Sequence, residues 1–161
     1  MEEFEVEIVV PGSPVGKGRP RFAKRGNFIS TYTPEKTVVY ENLIKCEYER
    51  QSGYRFPDTS PLRVIILAYF EIPKSVSKKK RVEMIKGYAR PTKKPDLDNI
   101  AKCYLDALNG VAYKDDVQVV ECCVEKYFSE NPRVKIRIVD LDLINKQEVI
   151  FNGNISTFTE E

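Results

Sequence analysis

Five aspartates within one short stretch constrain this chain more than any other feature of its sequence. The segment Lys94–Asp116, KPDLDNIAKCYLDALNGVAYKDD, carries Asp96, Asp98, Asp106, Asp115 and Asp116. Carboxylates that lie close together raise one another's pKa and destabilise a fold unless a cation joins them. The chain as a whole is slightly basic, with 26 Lys+Arg against 24 Asp+Glu. The fold must therefore either separate these acids or provide a cation for them.

The residues around the Asp-x-Asp pair predict a change from extended chain to helix. Pro95 disfavours helix at the residue before it, so the entry should be extended. Extended chain repeats every two residues, which would point Asp96 and Asp98 the same way and Leu97 into the core. Asp98 is a good helix N-cap and Gly110 a good C-terminal stop.

The helix predicted after Asp98 has a polar and an apolar face. The apolar face consists of Ile100, Ala101, Tyr104, Leu105 and Leu108, and the polar face of Asn99, Lys102, Asp106 and Asn109. Lys102 lies one turn after Asp98, so we expect its ammonium group beside the carboxylates. Asp115 and Asp116 follow a short turn, and we expect them to fold back beside the helix start.

Two interpretations of these acids remain open on spacing alone. Hard oxygen ligands favour magnesium or manganese. Such a metal can activate water and stabilise charge on a phosphate. Alternatively, Asp98 merely caps a helix while Asp115 and Asp116 form a turn, since aspartate often does both.

Composition excludes several other classes of chemistry and location. The chain has no histidine, which rules out Ser-His-Asp and Cys-His catalysis within it. Its cysteines form no C-x-x-C pair, so we expect no structural zinc site but buried, reduced thiols. They are Cys46, Cys103, Cys122 and Cys123. No apolar run approaches the ~20 residues of a membrane span. The acidic, alternating N-terminus is unlike a signal peptide, so we expect a cytoplasmic protein.

The basic residues form two separate segments. Pro11–Pro34 has five basic residues and no acid, and Lys74–Lys94 has nine basic residues and one acid, Glu83. Two basic segments beside an acidic centre indicate a polyanionic partner such as DNA. The alternative is that they are solvated loops and a helix face. The predicted DNA contacts are Lys17, Arg19, Arg21, Lys24, Arg25, Lys78, Lys79, Lys80, Arg81, Lys93 and Lys94.

Hydrophobic periodicity predicts one α+β domain over residues 1–161, with a mixed sheet packed against helices. The core covers about residues 4–140, and the tail 141–161 is ambiguous between a last strand and a docked arm. Helices are predicted at Pro34–Gln51, after a Thr33 cap, and at Ser77–Gly87. The first should bury Val38, Val39, Leu43, Ile44 and Cys46. Strands are predicted at Phe4–Val10 and Leu62–Ile72, with a long loop over Pro11–Phe28. Residues Val117–Glu130 and Pro132–Leu141 should pair as an antiparallel hairpin.

The segment Lys93–Glu121, KKPDLDNIAKCYLDALNGVAYKDDVQVVE, resembles the core signature of the RusA family of Holliday junction resolvases. GKGRPRF (Gly16–Phe22) and TYTPEKT (Thr31–Thr37) resemble segments of phage and prophage members. The resemblance extends from about Val10 to Val139. It implies a RusA-like fold and a homodimer that cuts two strands of a four-way DNA junction symmetrically, in recombination and repair.

The resemblance also implies roles for individual residues. Metal ligands and catalytic acids correspond to Asp96, Asp98 and Asp116, with Asp115 adjacent, and the catalytic lysine corresponds to Lys102. The implied metal is magnesium, with manganese as a substitute, and the resemblance implies no small-molecule cofactor and no membrane partner. Two alternatives keep the same residues: a metal-dependent nuclease for flaps or forks, and a DNA-binding module without catalysis.

Overall fold

The computed structural model describes residues 5–145. Its strands are β1 (Glu5–Pro11), β2 (Arg21–Arg25), β3 (Phe28–Tyr32), β4 (Leu62–Glu71), β5 (Val119–Ser129) and β6 (Arg133–Asp140). Its helices are α1 (Glu35–Gln51), α2 (Lys78–Ile85), α3 (Leu97–Leu108) and a 3₁₀ helix (Asp116–Gln118). A four-stranded sheet has the order β1-β6-β4-β5, and β2 and β3 form a separate two-stranded ribbon. The predicted α+β class with a mixed sheet is confirmed.

The predicted hairpin between β5 and β6 is wrong. β6 pairs antiparallel with β1 and β4, whereas β5 pairs in parallel with the other edge of β4. β4 is an almost continuous apolar run, which suits a strand with a neighbour on both edges. β5 carries polar side chains on both faces and takes the sheet edge, where a mixed pattern is tolerated. The short 130–132 connection therefore passes from one side of β4 to the other.

Alternation along the strands gives the sheet one apolar and one charged face. Alternate residues of β1, β4 and β6 join buried side chains of α1 and α3 in a single core. The opposite face carries ion pairs, among them Lys135 Nζ to Glu7 Oε1 at 2.9 Å and Arg137 Nη2 to Glu7 Oε2 at 3.0 Å. This arrangement places α3, with most of the aspartate segment, on the apolar side of the sheet.

Helix α1 buries a different face from the one predicted. Its buried residues are Thr37, Tyr40, Ile44 and Tyr48. Val38, Val39 and Cys46 are exposed, so the prediction holds for Ile44 and fails for these three. Tyrosine rings are large apolar groups whose hydroxyls need partners when buried. Here the Tyr40 and Tyr104 hydroxyls bond each other, and Tyr48 Oη donates to the Tyr54 carbonyl at 2.5 Å.

Local signals determine the ends of α1 and α2 and the C-terminal end of α3, with one exception. Ser77 caps α2 by accepting a hydrogen bond from Lys80 N at 3.2 Å. Gly53, Gly87 and Gly110 follow the three α-helices with φ of 68°, 77° and 74°. Such positive φ values favour glycine. The exception is α1, whose N-cap is Pro34 without a side-chain hydrogen bond, so the predicted Thr33 cap is wrong.

The loop predicted over Pro11–Phe28 contains β2 and the first residue of β3, which together form a ribbon that ends at Tyr32. A two-residue connection, Gly26–Asn27, joins its strands, and Gly26 has φ of 61°. Glycine at this position suits a tight hairpin turn. Phe22, Phe28 and Ile29 have high strand propensity, which favours ribbon over loop.

The cysteines and the chain ends complete the comparison with the predictions. All four thiols are free, but only Cys103 is buried, so the prediction of burial is wrong for the other three. Within the described residues no helix is long and apolar enough to cross a membrane. Residues 141–145 form a helical turn after β6. The rest of the tail lies outside the described residues.

Candidate active site

The start of α3 differs from the predicted one by two residues. Asp96, not Asp98, is the N-cap, and Ile100 N donates to its carbonyl at 3.0 Å. Asp98 therefore lies in the first helical turn. Leu97 is 48% exposed rather than buried, because the core stripe of this helix begins only at Ile100. The Asp96 side chain makes no capping bond and stays available for other contacts.

One side of α3 carries a row of charges. Asp98, Lys102 and Asp106 follow one another at four-residue spacing, which places them on the same side of the helix. Lys102 Nζ lies 3.6 Å from Asp106 Oδ2, and its side chain is 64% exposed. Lys102 thus occupies the predicted polar face, with Asp106 as its ion-pair partner.

Hydrogen bonds hold the second pair of aspartates beside this row. Gln118 accepts from Lys114 N at 3.0 Å and donates to the Pro57 and Ser60 carbonyls at 2.9 and 3.2 Å. Tyr113 Oη donates to the Leu105 carbonyl at 2.8 Å, which ties the preceding turn to α3. These bonds fix the 3₁₀ helix against α3.

Asp115 and Asp116 have different environments. Asp115 Oδ1 accepts from Val117 N at 3.0 Å and caps the 3₁₀ helix, so the turn-forming interpretation holds for this residue. Asp116 is half-buried and interacts with Lys102 and Asp106. The pair therefore returns to the middle of α3 rather than to its start, where we had expected it.

Asp116 is the acid whose ionisation the site disfavours most clearly. Burial raises the pKa of Asp116, and its hydrogen bond with Asp115 and the charges of Asp106 and Asp115 raise that pKa further. Lys102 opposes them. Carboxylates outnumber the cation at this position, which is an environment that a bound divalent ion would stabilise.

Lys17 links the glycine-rich loop to the same helix. Its ammonium group bonds Glu41 and lies 3.1 Å from Asp106 Oδ2. Burial lowers the pKa of Lys17, but the bonds to Glu41 and Asp106 outweigh this and leave the pKa above its usual value. The predicted DNA contact is thus already paired with two carboxylates.

Gly16 allows this loop to lie directly on the start of α3. A Cβ at Gly16 would lie 2.7 Å from Pro95 Cβ, closer than side chains approach. The next residue, Lys17, donates its backbone N–H to the Asn99 carbonyl at 2.8 Å. Residues of the loop and residues at the start of the helix therefore line a common cleft.

This cleft has a volume of about 500 Å³ and contains charges of both signs. Its cations are Lys17, Arg19 and Lys94, and Asp96 is the one acid among the residues that line it. Of these cations, Arg19 and Lys94 are exposed, whereas the Lys17 ammonium group is already paired with Glu41 and Asp106. The cleft thus joins part of the first basic segment to the Asp-x-Asp pair.

Lys126 holds the segment that leads into Asp96 and is not among the residues predicted from the sequence. Its ammonium group donates to the Lys93 carbonyl and, at 3.0 Å, to the Pro95 carbonyl. It lies on β5 in register with Ala68, on the side of the sheet that faces the helices. A lysine at such an inward-facing strand position is the signal that would have identified it.

The other predicted DNA contacts lie on separate elements and are not brought together. Arg21, Lys24 and Arg25 lie exposed on the β2–β3 ribbon, and Lys78, Lys79 and Lys80 lie exposed on or beside the first turn of α2. Arg81 is half-buried, with its Nη2 atom 2.9 Å from Glu130 Oε1. Lys93 and Lys94 are exposed immediately before Pro95.

The predicted metal ligands do not converge on one point. Within residues 5–145 no three acidic or thiol side chains form a group that could hold a metal ion as placed. Asp115 and Asp116 lie together, whereas Asp96 lines the cleft and Asp98 is exposed on α3. The oxygen-only donor set fits a hard divalent cation. A cation would have to draw these side chains together.

Comparison with known proteins identifies the family of the chain. The model of the family Endodeoxyribonuclease RusA matches residues 11–139. The uncharacterized protein YqaN of Bacillus subtilis (strain 168) is 38% identical over 135 residues, which cover 83% of this chain and 94% of that protein. The family match includes the glycine-rich loop, α3, the 3₁₀ helix, β4, β5 and β6 up to Val139, and of β1 it includes only Pro11. The chain belongs to the RusA endodeoxyribonuclease family.

Proposed function

We propose that this chain is a magnesium-dependent endodeoxyribonuclease that resolves four-way DNA junctions. The observation that carries the proposal is the cleft in which Asp96 is the one acid among three cations. Carboxylates repel DNA, yet a metal-dependent nuclease must bring them to the phosphate that it cuts. Arg19 and Lys94, which are exposed, provide the attraction, and a bound metal ion would reverse the local sign.

The metal ligands in this proposal are Asp96, Asp98 and Asp116, with Asp115 beside them. Magnesium, or manganese in its place, supplies an activated water and neutralises charge on the phosphate. Asp116 has most to gain from such an ion, because burial and two carboxylates raise its pKa. Asp115 has one oxygen engaged as a cap and is the secondary ligand. Hydrolysis leaves a 5′-phosphate and a 3′-hydroxyl.

Lys102 stabilises the negative charge that develops on the scissile phosphate. Its exposed side chain and 3.6 Å separation from Asp106 leave it able to turn toward a phosphate. Asp106 is then the residue that holds Lys102 in place before DNA binds. Lys17 shares Asp106 and positions the loop.

Phosphate contacts come from ten cations of the two basic segments, which are exposed except for the half-buried Arg81. These contacts orient the protein on branched DNA without reading its sequence. They are Arg19, Arg21, Lys24, Arg25, Lys78, Lys79, Lys80, Arg81, Lys93 and Lys94. Lys17 is set apart from them because its ammonium group is already paired.

The active form is a two-fold homodimer of a single nuclease domain spanning residues 1–161. One active site cuts one strand, and resolving a junction needs two matched cuts. A four-way junction offers two-fold symmetry, and two-fold dimers are the commonest protein oligomers. Such an enzyme acts on cytoplasmic, nucleoid-associated DNA in recombination and repair.

A cleavage panel tests the proposed function. Purified protein should nick a four-way junction faster than a fork, a flap or linear duplex of the same sequence. Cutting should require magnesium or manganese and stop in excess chelator. Calcium should permit binding with little cutting, because it accepts oxygen ligands at longer distances and in looser geometry.

The same panel separates the alternatives. Faster cutting of flaps or forks would replace the junction with another branched substrate. Junction binding without nicking in any metal would leave only a DNA-binding module. Full activity in chelator would contradict the metal mechanism.

A further inference from the structure

The β2–β3 ribbon exposes large apolar side chains that the fold does not cover. Phe22 is 74%, Phe28 82% and Ile29 70% exposed. Each cross-strand pair shares a face, so Phe22 and Ile29 lie on one face and Phe28 and Tyr32 on the other. Each face of the ribbon therefore carries an exposed apolar pair, and clustered exposed apolar side chains commonly mark a binding site.

A cation stands opposite three of these four side chains. The register pairs Arg25 with Phe28, Arg21 with Tyr32, and Lys24 with Ile29. Residues directly opposite in an antiparallel pair have Cβ atoms about 4.5–5.5 Å apart. No acidic residue occurs between Pro11 and Pro34. On the ribbon, exposed apolar side chains therefore lie next to basic side chains, and no acidic side chain is present.

The β2–β3 ribbon is connected directly to the residues that line the cleft. Arg19, two residues before β2, lines the cleft with Asp96. Gly18 N donates to Thr37 Oγ1 at 3.1 Å, so the base of the ribbon is anchored on α1. A five-residue strand spans roughly 16 Å. That length corresponds to about five base steps of a DNA strand.

We propose that the β2–β3 ribbon enters the branch point of the DNA and stacks Phe22 and Phe28 on bases there. This inference rests on the proposed function and adds a base-contacting element to it. Aromatic side chains stack on any base, while neighbouring cations follow the phosphates. Bases at a branch point are less firmly stacked, so separating them costs least there. In the paired duplex arms the bases stay stacked on one another, so the Phe22 and Phe28 rings cannot stack on them.

Charge argues for DNA rather than a second copy of the chain on this surface. Two ribbons facing each other would bring like charges together from Arg21, Lys24 and Arg25. A polyanion with exposed base faces complements both the cations and the rings. The ribbon would then select branched over linear DNA, which the phosphate contacts alone do not achieve.

The test uses the full chain with Phe22→Ala and Phe28→Ala combined. The dissociation constant for a four-way junction should rise at least about tenfold, because base stacking on an aromatic side chain is lost. Affinity for linear duplex should not change. A 2-aminopurine beside the branch point should brighten with the wild type, as its stacking neighbour is displaced, and not with the variant.

Two further variants serve as controls. Tyr88→Ala removes an 80% exposed ring outside the ribbon and should bind like the wild type. Phe22→Trp with Phe28→Trp keeps stacking surface and should retain junction affinity. All these side chains are exposed, so circular dichroism should show an unchanged fold.

Each remaining outcome overturns the inference. Unchanged junction affinity and 2-aminopurine signal in the alanine variant would remove the stacking role while wild-type cleavage left the proposed function standing. Equal losses on junction and duplex would show general phosphate binding. A dimer that became a monomer would show that the ribbon binds a second copy. A wild type that neither binds nor cuts branched DNA would defeat the proposed function and this inference together.

Discussion

Asp96→Asn, Asp98→Asn and Asp116→Asn should each reduce junction cleavage by on the order of 10³-fold or more, about 4 kcal/mol of transition-state stabilisation. Each change removes a proposed metal ligand while keeping the size of the side chain. Each also removes a negative charge beside the DNA phosphate, so junction affinity should stay equal or rise. Single-turnover nicking rates and equilibrium binding of the same junction measure the two effects separately.

Asp58→Asn is the matched control for these three variants. Its carboxylate is exposed, like those of Asp96 and Asp98, and its neighbours are Arg55 Nη2 at 3.5 Å and Lys114 Nζ at 3.7 Å. Exposed pairs of this kind contribute roughly 0–1 kcal/mol, so fold and activity should be unaffected. If any of the three site variants cuts as fast as Asp58→Asn, that residue is not a ligand.

Lys102→Ala should slow cleavage by about 10²-fold or more, which corresponds to about 2.7 kcal/mol. The loss has two causes, since the phosphate loses a stabilising charge and Asp116 loses the cation that offsets its neighbours. Stability should hardly change, because the side chain is 64% exposed and its ion pair with Asp106 is long. Nicking rate and thermal unfolding of the same preparation separate catalysis from folding.

Lys114→Ala provides the comparison for Lys102. This lysine is also exposed and pairs with a single aspartate, Asp58, at 3.7 Å. Its removal should leave both rate and melting temperature unchanged. A lower melting temperature with normal specific activity in Lys102→Ala would make Lys102 a structural residue.

Elements with strong local signals were predictable from the sequence. β4 is a long apolar run, α2 has the Ser77 cap, and α3 has its apolar stripe and Gly110 stop. In each of these the local pattern agrees with the tertiary environment. Element type therefore followed from residues only a few positions apart.

The errors arose where a distant partner decided the outcome. The buried face of α1 depends on Tyr104 in α3, whose hydroxyl bonds that of Tyr40. The pattern of apolar residues within α1 does not indicate this partner. The neighbour of β5 depends on which edge of β4 is free. The glycines and prolines of Pro11–Phe28 predict a loop, although Phe22, Phe28 and Ile29 favour a strand.

The candidate site was predictable in composition but less so in geometry. The resemblance identified the aspartates and Lys102 by position in the chain. It did not indicate that Lys17 would bind Glu41 and Asp106, or that Lys126 would hold the Lys93 and Pro95 carbonyls. These contacts join segments far apart in sequence, so they could not be predicted from the spacing of residues within the aspartate segment.

The central claim is that one divalent cation draws Asp96, Asp98 and Asp116 together, and metal binding tests it most directly. Manganese should be titrated into the complex of protein with an uncleavable junction, and its free concentration followed by electron paramagnetic resonance. The wild type and Asp58→Asn should bind manganese equally, whereas Asp96→Asn, Asp98→Asn and Asp116→Asn should each bind it at least about tenfold more weakly, a loss of about 1.4 kcal/mol. Equal manganese affinity in all five proteins would contradict the claim.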